Sequence, residues 1–439
     1  MFNQIASKVS RLLQRLDTGT TSLSTEAKPS LVSISWFIPF KGIDHAGGEY
    51  FRQHLRVLDE DYDVQLFVPQ IPQNDRSLLT ADPTGITIVE LGGTVLAKRG
   101  MGILRKALSF AKGASFGSDF ELAARRNEQL KLSLKRTEIV EFQWIESASI
   151  SRWVRRHSPK AIQILIVHDV ISQRWQREIA DVSISWRRFA MSMQKWLAER
   201  AETSAFRGVD HIAAFSLKDI ELIESRGGAG KTFLVNPPLM SDLMPNSPIL
   251  RPVQSSPKVL FVGAMNRPEN DEGVRWFLEN VWHLVRIKLP EASFIICGSK
   301  PSVQLIELAK DIPNVSVTGF VKELDPFYKI ADLVVVPLFK GAGMKFKTAT
   351  AMLWSIPVVA TPIGAEGVAT PDSYIRITEN PALFSEAVIL GLTDLSERTR
   401  STGSASHWSN QRFDPAVFAN ALKARYANAV VVARESHMR

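Results

Sequence analysis

Residues 332–361 read DLVVVPLFKGAGMKFKTATAMLWSIPVVAT, and this stretch decides the fold. Leu333 to Leu338 form an apolar, β-branched run that predicts a strand, and Gly341-Ala342-Gly343 then make a loop of small residues. A helical pattern starts near Met344, and Ile356 to Thr361 predict the next strand. Strand, loop, helix and strand in that order make a parallel α/β unit, in which ligands sit beyond the carboxyl ends of the strands and against a helix N-terminus. Small residues let a ligand approach the backbone, the first helical N–H groups have no internal partner, and Lys345 and Lys347 add positive charge. The loop therefore predicts an anion site. Two residues apart is about 200° around a helix, so a helical reading aims at most one of the two lysines at the ligand.

The same alternation extends along the chain. Strands are predicted at 31–38, 63–69, 85–91, 138–143, 161–167, 211–216 and 232–236, with one long or broken helix over 174–207 and a shorter one over 217–226. A proline- and serine-rich connection follows. The pattern restarts with strands at 258–263, 293–298, 314–320, 332–338 and 356–361 and helices at 270–288 and 302–310. This reading gives an N-terminal Rossmann-like domain over 31–240, a linker over 241–257, a second Rossmann-like domain over 258–405, and a C-terminal helix over 406–439 that packs back towards the first domain. Within residues 1–30, a basic amphipathic helix (1–17), with Phe2, Ile5, Val9, Leu12 and Leu16 on one stripe, precedes a Ser/Thr-rich linker. Such a helix suits peripheral contact with an anionic membrane face or packing on the body of the protein.

Composition sets outer bounds. A chain of 439 residues is long enough for two cores, and 45% hydrophobic with 22% charged residues is ordinary globular composition. A single cysteine, Cys297, rules out an intrachain disulfide and suits a reducing compartment; with no secretory signal in view, a cytoplasmic location is the expectation. The net charge of +8 favours anionic partners. No nucleic-acid-binding motif and no zinc spacing appear, so neither nucleic acid nor a metal is expected. The near-P-loop SRGGAGKT at 225–232 lacks its first glycine and follows a helix instead of a strand, and the acidic DEDYD at 59–63 sits where a turn precedes a strand.

The run GAGMKFKTATAMLWSIPVVATPIGAEGV (341–368), together with KVLFVGAMNRPENDEGVRWF (258–277), FIICGS, NVSVTGFVKELDPFYKIADLVVVPL and VHDV, resembles the retaining GT-B glycosyltransferases of family 4. The resemblance covers most of 30–430 and is most specific over 258–368. It implies two facing Rossmann-like domains, a nucleotide-diphosphate sugar as donor, a glycan or lipid-linked acceptor, and no cofactor. Residue by residue, it implies that the Gly341, Ala342 and Gly343 loop, with Lys345 and Lys347, holds the diphosphate. It places Gly263, Arg267, Gly298 and the Gly319-Phe320-Val321 turn near the rest of the donor. Gly47 and Gly48 would form the facing glycine loop, and His168 with Asp169 would stand in the cleft beside the transferred sugar. Where relatives usually carry a ribose-binding glutamate this chain has Thr350, with Glu366 the nearest acid in sequence. Gly343 stands where another glutamate is often found, and Ser355 replaces the usual glycine before the final strand. A binding or regulatory subunit that has lost transfer, and a sugar-nucleotide epimerase, are the other classes compatible with this pattern.

Overall fold

The structure is a computed structural model that describes residues 28–39, 46–71, 74–75, 77, 85–92, 118–180, 183–239, 244, 251–341 and 343–438. The expected amphipathic helix at 1–17, most of the 241–250 connection and Ala342 lie outside the described residues.

The first sheet has the order β3-β2-β1-β4-β5-β6-β7, all parallel. Its strands are β1 (Ser30–Ile34), β2 (Asp63–Val68), β3 (Thr87–Glu90), β4 (Ile139–Gln143), β5 (Ile162–Val167), β6 (His211–Ala214) and β7 (Thr232–Leu234). The second sheet, order β10-β9-β8-β11-β12-β13, holds β8 (Lys258–Val262), β9 (Ser293–Cys297), β10 (Val315–Gly319), β11 (Leu333–Val336), β12 (Val358–Ala360) and β13 (Arg376–Ile377). Both are doubly wound. In each, the strand order reverses beside the first strand of the domain, so the ligand crevices open between the ends of β1 and β4 and between those of β8 and β11.

The strands are short apolar runs because helices cover both faces of each sheet; β4, β5 and β11 are buried along their whole length. The helices that matter below are α1 (Ala46–Asp61), α2 (Ile171–Ala180), α3 (Ser185–Gly208), α4 (Leu217–Ile223), α5 (Pro268–Phe277), α6 (Phe346–Leu353) and α7 (Pro415–Met438). The helical pattern over 174–207 is broken, into α2 and α3. The last helix leaves the second domain: Phe418, Leu422, Tyr426 and Ala429 of α7 are buried in the core of the first, against Phe51, Leu55 and Leu58 of α1. This burial ties the chain's end to its beginning.

The helix expected to start near Met344 starts at Phe346, and Lys345 is its N-cap residue with φ −90° and ψ 88°. Its far end turns through Ser355 at φ +53°. Left-handed backbone is where a glycine is least strained, which fits the glycine that the family resemblance leads one to expect here; Ser355 tolerates it while buried, its hydroxyl 3.4 Å from that of Ser406.

Candidate active site between the domains

Four carboxyl ends of the second sheet meet at one edge. Gly263 follows β8 and Gly298 follows β9; a Cβ on Gly298 would stand 1.8 Å from the Gly263 carbonyl oxygen, so these two backbones touch only because the second is glycine. Gly319 ends β10 at φ +70°, in register with Cys297, which sets the Gly319-Phe320-Val321 turn beside Gly298. Phe320 is exposed there. The fourth end is the Gly341 to Gly343 loop after β11.

The two lysines go to different partners. Lys347 Nζ lies 4.4 Å from the Phe261 ring centre, donates to Asn270 Oδ1 (2.6 Å), and stands beside Gly263. Burial, with Arg267 and Lys345 adding positive charge, pushes its ammonium down to about 7. Asn270 is itself anchored by a bond to the Ala264 carbonyl (2.8 Å). Lys345, which the resemblance places at the diphosphate beside Lys347, donates to the Gly343 carbonyl (2.6 Å) and approaches Glu366 (3.5 Å). It braces the loop. Burial lowers its pKa, with Glu366 and Asp169 acting the other way. Arg267 is the exposed N-cap residue of α5, close enough to Asp169 and Lys347 to act on both electrostatically.

Glu366 takes a different place from the one its sequence position suggested. Arg177 of α2 and Lys218 of α4 both bind its carboxylate, and Arg177 also donates to the Gly341 carbonyl. Burial would raise this acid, but the bonds from Arg177 and Lys218 bring it down to about 2. In this arrangement Glu366 joins the two domains as an ion pair. Thr350 is half-buried on α6, one turn beyond Lys347 and on the same helix face.

From the first domain come His168 and Asp169, at the end of β5. Gly343, at φ +71°, approaches them so closely that a Cβ would lie 2.5 Å from Asp169 Oδ1 and 3.2 Å from the His168 carbonyl oxygen. Asp169 keeps contact with solvent; partial desolvation pushes its carboxyl up, with Arg267 and Lys345 opposing. Gly343→Glu is therefore expected to weaken nucleoside diphosphate binding at least about tenfold, since left-handed backbone and a second carboxylate beside Asp169 both oppose it. Calorimetry on the variant with a nucleoside diphosphate measures this, and unchanged affinity would refute the steric argument.

His168 is held by a buried chain of groups. Gln143 Nε2 donates to Glu141 Oε1 (2.7 Å), which turns Gln143 Oε1 towards His168 Nε2 (3.1 Å). An amide oxygen facing Nε2 favours a proton on that nitrogen. Trp144 stacks on the imidazole with centroids 4.2 Å apart, and Tyr50 and Phe215 meet it edge-on. Trp144 has φ 66° and ψ 151°, a backbone region that is almost exclusively glycine's, so the stacking is maintained against strain. Gly47 and Gly48 lie in the first turn of α1, after β1 on the same side of the sheet as His168. Among the described residues no group of three or more His, Cys, Asp or Glu side chains is placed to hold a metal ion.

Sequence reasoning missed Trp144, Gln143, Glu141, Asn270 and Arg177. A charged residue inside the apolar strand EFQ was the one available signal, for Glu141.

Residues 256–394 match the family model described as Glycosyl transferases group 1. A protein of Klebsiella pneumoniae described as an uncharacterized 44.6 kDa protein in the cps region is 31% identical over 139 residues, 30% of this chain and 36% of that protein, so the match spans about a third of the relative's length. Sucrose-phosphate synthase from Thermosynechococcus elongatus superposes with a TM-score of 0.64 at 15% identity, over 92% of this chain and 100% of that one. HepE from Anabaena in complex with UDP gives 0.61 at 12% identity, over 91% and 100%. At such identities the superpositions establish architecture, and the C-terminal domain thus carries the glycosyl transferases group 1 signature within a two-domain chain of GT-B fold.

Proposed function

We propose that the chain transfers a sugar, with retention and without a metal, from a nucleotide-diphosphate donor to a glycan or lipid-linked acceptor. The observation that carries this reading is the meeting of Gly343 with His168 and Asp169, which brings the basic glycine loop of one domain and the held imidazole of the other to a single cleft. In the reaction the glycosidic C–O bond to phosphate breaks and its electron pair stays on the phosphate oxygen. Lys347, Arg267 and the N–H groups opening α6 stabilise that growing charge. The acceptor hydroxyl bonds to the anomeric carbon from the same face and passes its proton to the departing phosphate oxygen, so no pair of catalytic carboxylates is required. UDP in the Anabaena structure and the cps location of the Klebsiella relative support a nucleotide donor and a polysaccharide product.

Thr350 favours one second reading, a subunit that binds without transferring. A threonine hydroxyl cannot reproduce a bidentate charged acceptor, and the missing contact is worth about 1.5–3 kcal/mol, roughly ten- to a hundredfold in affinity. Thr350→Glu is expected to tighten nucleoside diphosphate binding by that factor. Ligand-observed NMR with UDP, GDP and ADP, followed by transfer assays on the base that binds, separates the readings. Binding with turnover that His168→Ala abolishes supports transfer; no binding at millimolar concentration removes it.

A further inference from the structure

Helix α3 carries its apolar face outward. Trp186, Phe189, Met193 and Trp196 are 68%, 69%, 38% and 48% exposed. At 100° per residue they fall within an arc of about 80°. The buried residues of the same helix, Ala198, Glu202, Ala205 and Phe206, lie on the other side, roughly 100–200° round from Trp186. In a helix that merely packs on a domain the apolar stripe faces the core. Here the aromatic stripe faces away from it, and none of the residues from Ser185 to Leu197 is buried.

Its charge is one-sided. Residues 185–200 hold Arg187, Arg188, Lys195 and Arg200 against a single acid, Glu199, which lies 3.6 Å from Lys195. Arg187 lies over the Trp186 ring at 5.5 Å and Arg200 over the Trp196 ring at 4.8 Å. Arg200 falls within the aromatic arc, and Arg187, Arg188 and Lys195 lie about 100–200° round from Trp186. Tryptophan and phenylalanine on one face with arginine and lysine on the other is the composition of a helix that lies in the headgroup region of an anionic bilayer. Such a surface complements the face in charge and in polarity at once. A second copy of the chain would present the same cations to it, and the three aromatic side chains expose only about 300–400 Å², well below the roughly 800 Å² per partner of a stable interface.

We propose that this face of α3 seats the protein on an anionic membrane surface. It is distinct from the segment 1–17, and it places the cleft near lipid, because α3 packs against α2, whose Arg177 reaches the Gly341 loop and Glu366. Binding to vesicles tests it without any assumption about sugar transfer. The full chain is incubated with phosphatidylcholine vesicles, with and without about 30 mol% phosphatidylglycerol, and sedimented. The wild type should partition at least about tenfold more strongly onto the anionic vesicles, and high salt should remove that difference. Trp186→Ser/Phe189→Ser/Trp196→Ser should lose partition at least about tenfold with an unchanged melting temperature, since surface side chains away from the core contribute little to stability. Arg187→Glu/Arg188→Glu should lose it on anionic vesicles alone. A wild type that stays in solution, or a triple variant that sediments like the wild type, would overturn the proposal. So would a dimer seen by light scattering that the triple substitution dissociates with no vesicle-dependent signal.

Discussion

Lys347→Ala is expected to lower sugar transfer by about 10²- to 10³-fold, the usual loss when a group that stabilises developing anionic charge is removed. The reason lies in how the ammonium is held. It donates to the neutral Asn270 amide and sits over the Phe261 ring with Arg267 near by. Among the described residues no carboxylate is bonded to it to spend its charge, unlike Lys345 beside Glu366. A diphosphate is the partner that would restore its protonated state, and this has a pH signature. With Lys347 pushed down to about 7, the lysine is charged below that pH and binding takes up no proton. Above it, each binding event must take up a proton, so donor affinity should fall with rising pH by up to about tenfold per unit. Calorimetry in buffers of different ionisation enthalpy reads that proton directly. Lys347→Ala should flatten the profile; an equally steep profile in the variant would assign the titration to another group.

Asn270→Ala belongs to the same argument, because it removes the acceptor that aims Lys347 at Gly263.

How much of this was legible follows from where each signal resides. The parallel strands could be read because they are buried on both faces and appear as unbroken apolar runs, as in Leu333 to Val336. β13, two residues long, is too short to leave such a run. The glycines of the site were legible because each backbone requirement is local: Gly343 and Gly319 need positive φ, and Gly298 needs the absence of a Cβ. The role of Lys345 was not, since it depends on the loop curling back until the ammonium meets the Gly343 carbonyl. Glu366 likewise read only as the acid nearest to Thr350 in sequence, and only the packing of α2 and α4 against its loop supplies its cations. Trp144 and Gln143 were hidden for another reason. They are ordinary residues of a strand end, and His168, which they hold, lies 24 or more positions further along the chain.

Glu141→Ala is expected to cost about 3–5 kcal/mol of folding stability, the range found when one partner of a buried charged network is deleted. Four groups converge on this carboxylate, three of them from distant parts of the chain. Ser33 of β1 and Gln143 donate to Oε1 at 2.9 and 2.7 Å, while His54 of α1, at 2.6 Å, and Tyr426 of α7 bond to Oε2. All of them are buried. Burial on its own would raise the carboxyl, but the charge and hydrogen bond of His54, with Tyr426 and Gln143, bring it down to about 2. The folded value lies below the ordinary 4.5, so the network's contribution is complete above about pH 4.5 and is lost as the pH falls towards 2. Urea unfolding at pH 7 and at pH 4 therefore tests it twice: wild type should lose stability on acidification, and Glu141→Ala should lose less. Glu141→Gln supplies the sharper control. It keeps the volume but puts a neutral NH₂ donor where one acceptor oxygen stood, so the charge on the carboxylate is lost and His54 and Tyr426 must change from donating to accepting to stay bonded. If Gln143 then turns its amide, His168 loses the acceptor that favours a proton on Nε2. Turnover should fall in Glu141→Gln even at temperatures where the variant is fully folded, whereas a purely structural network would leave turnover of the folded fraction unchanged.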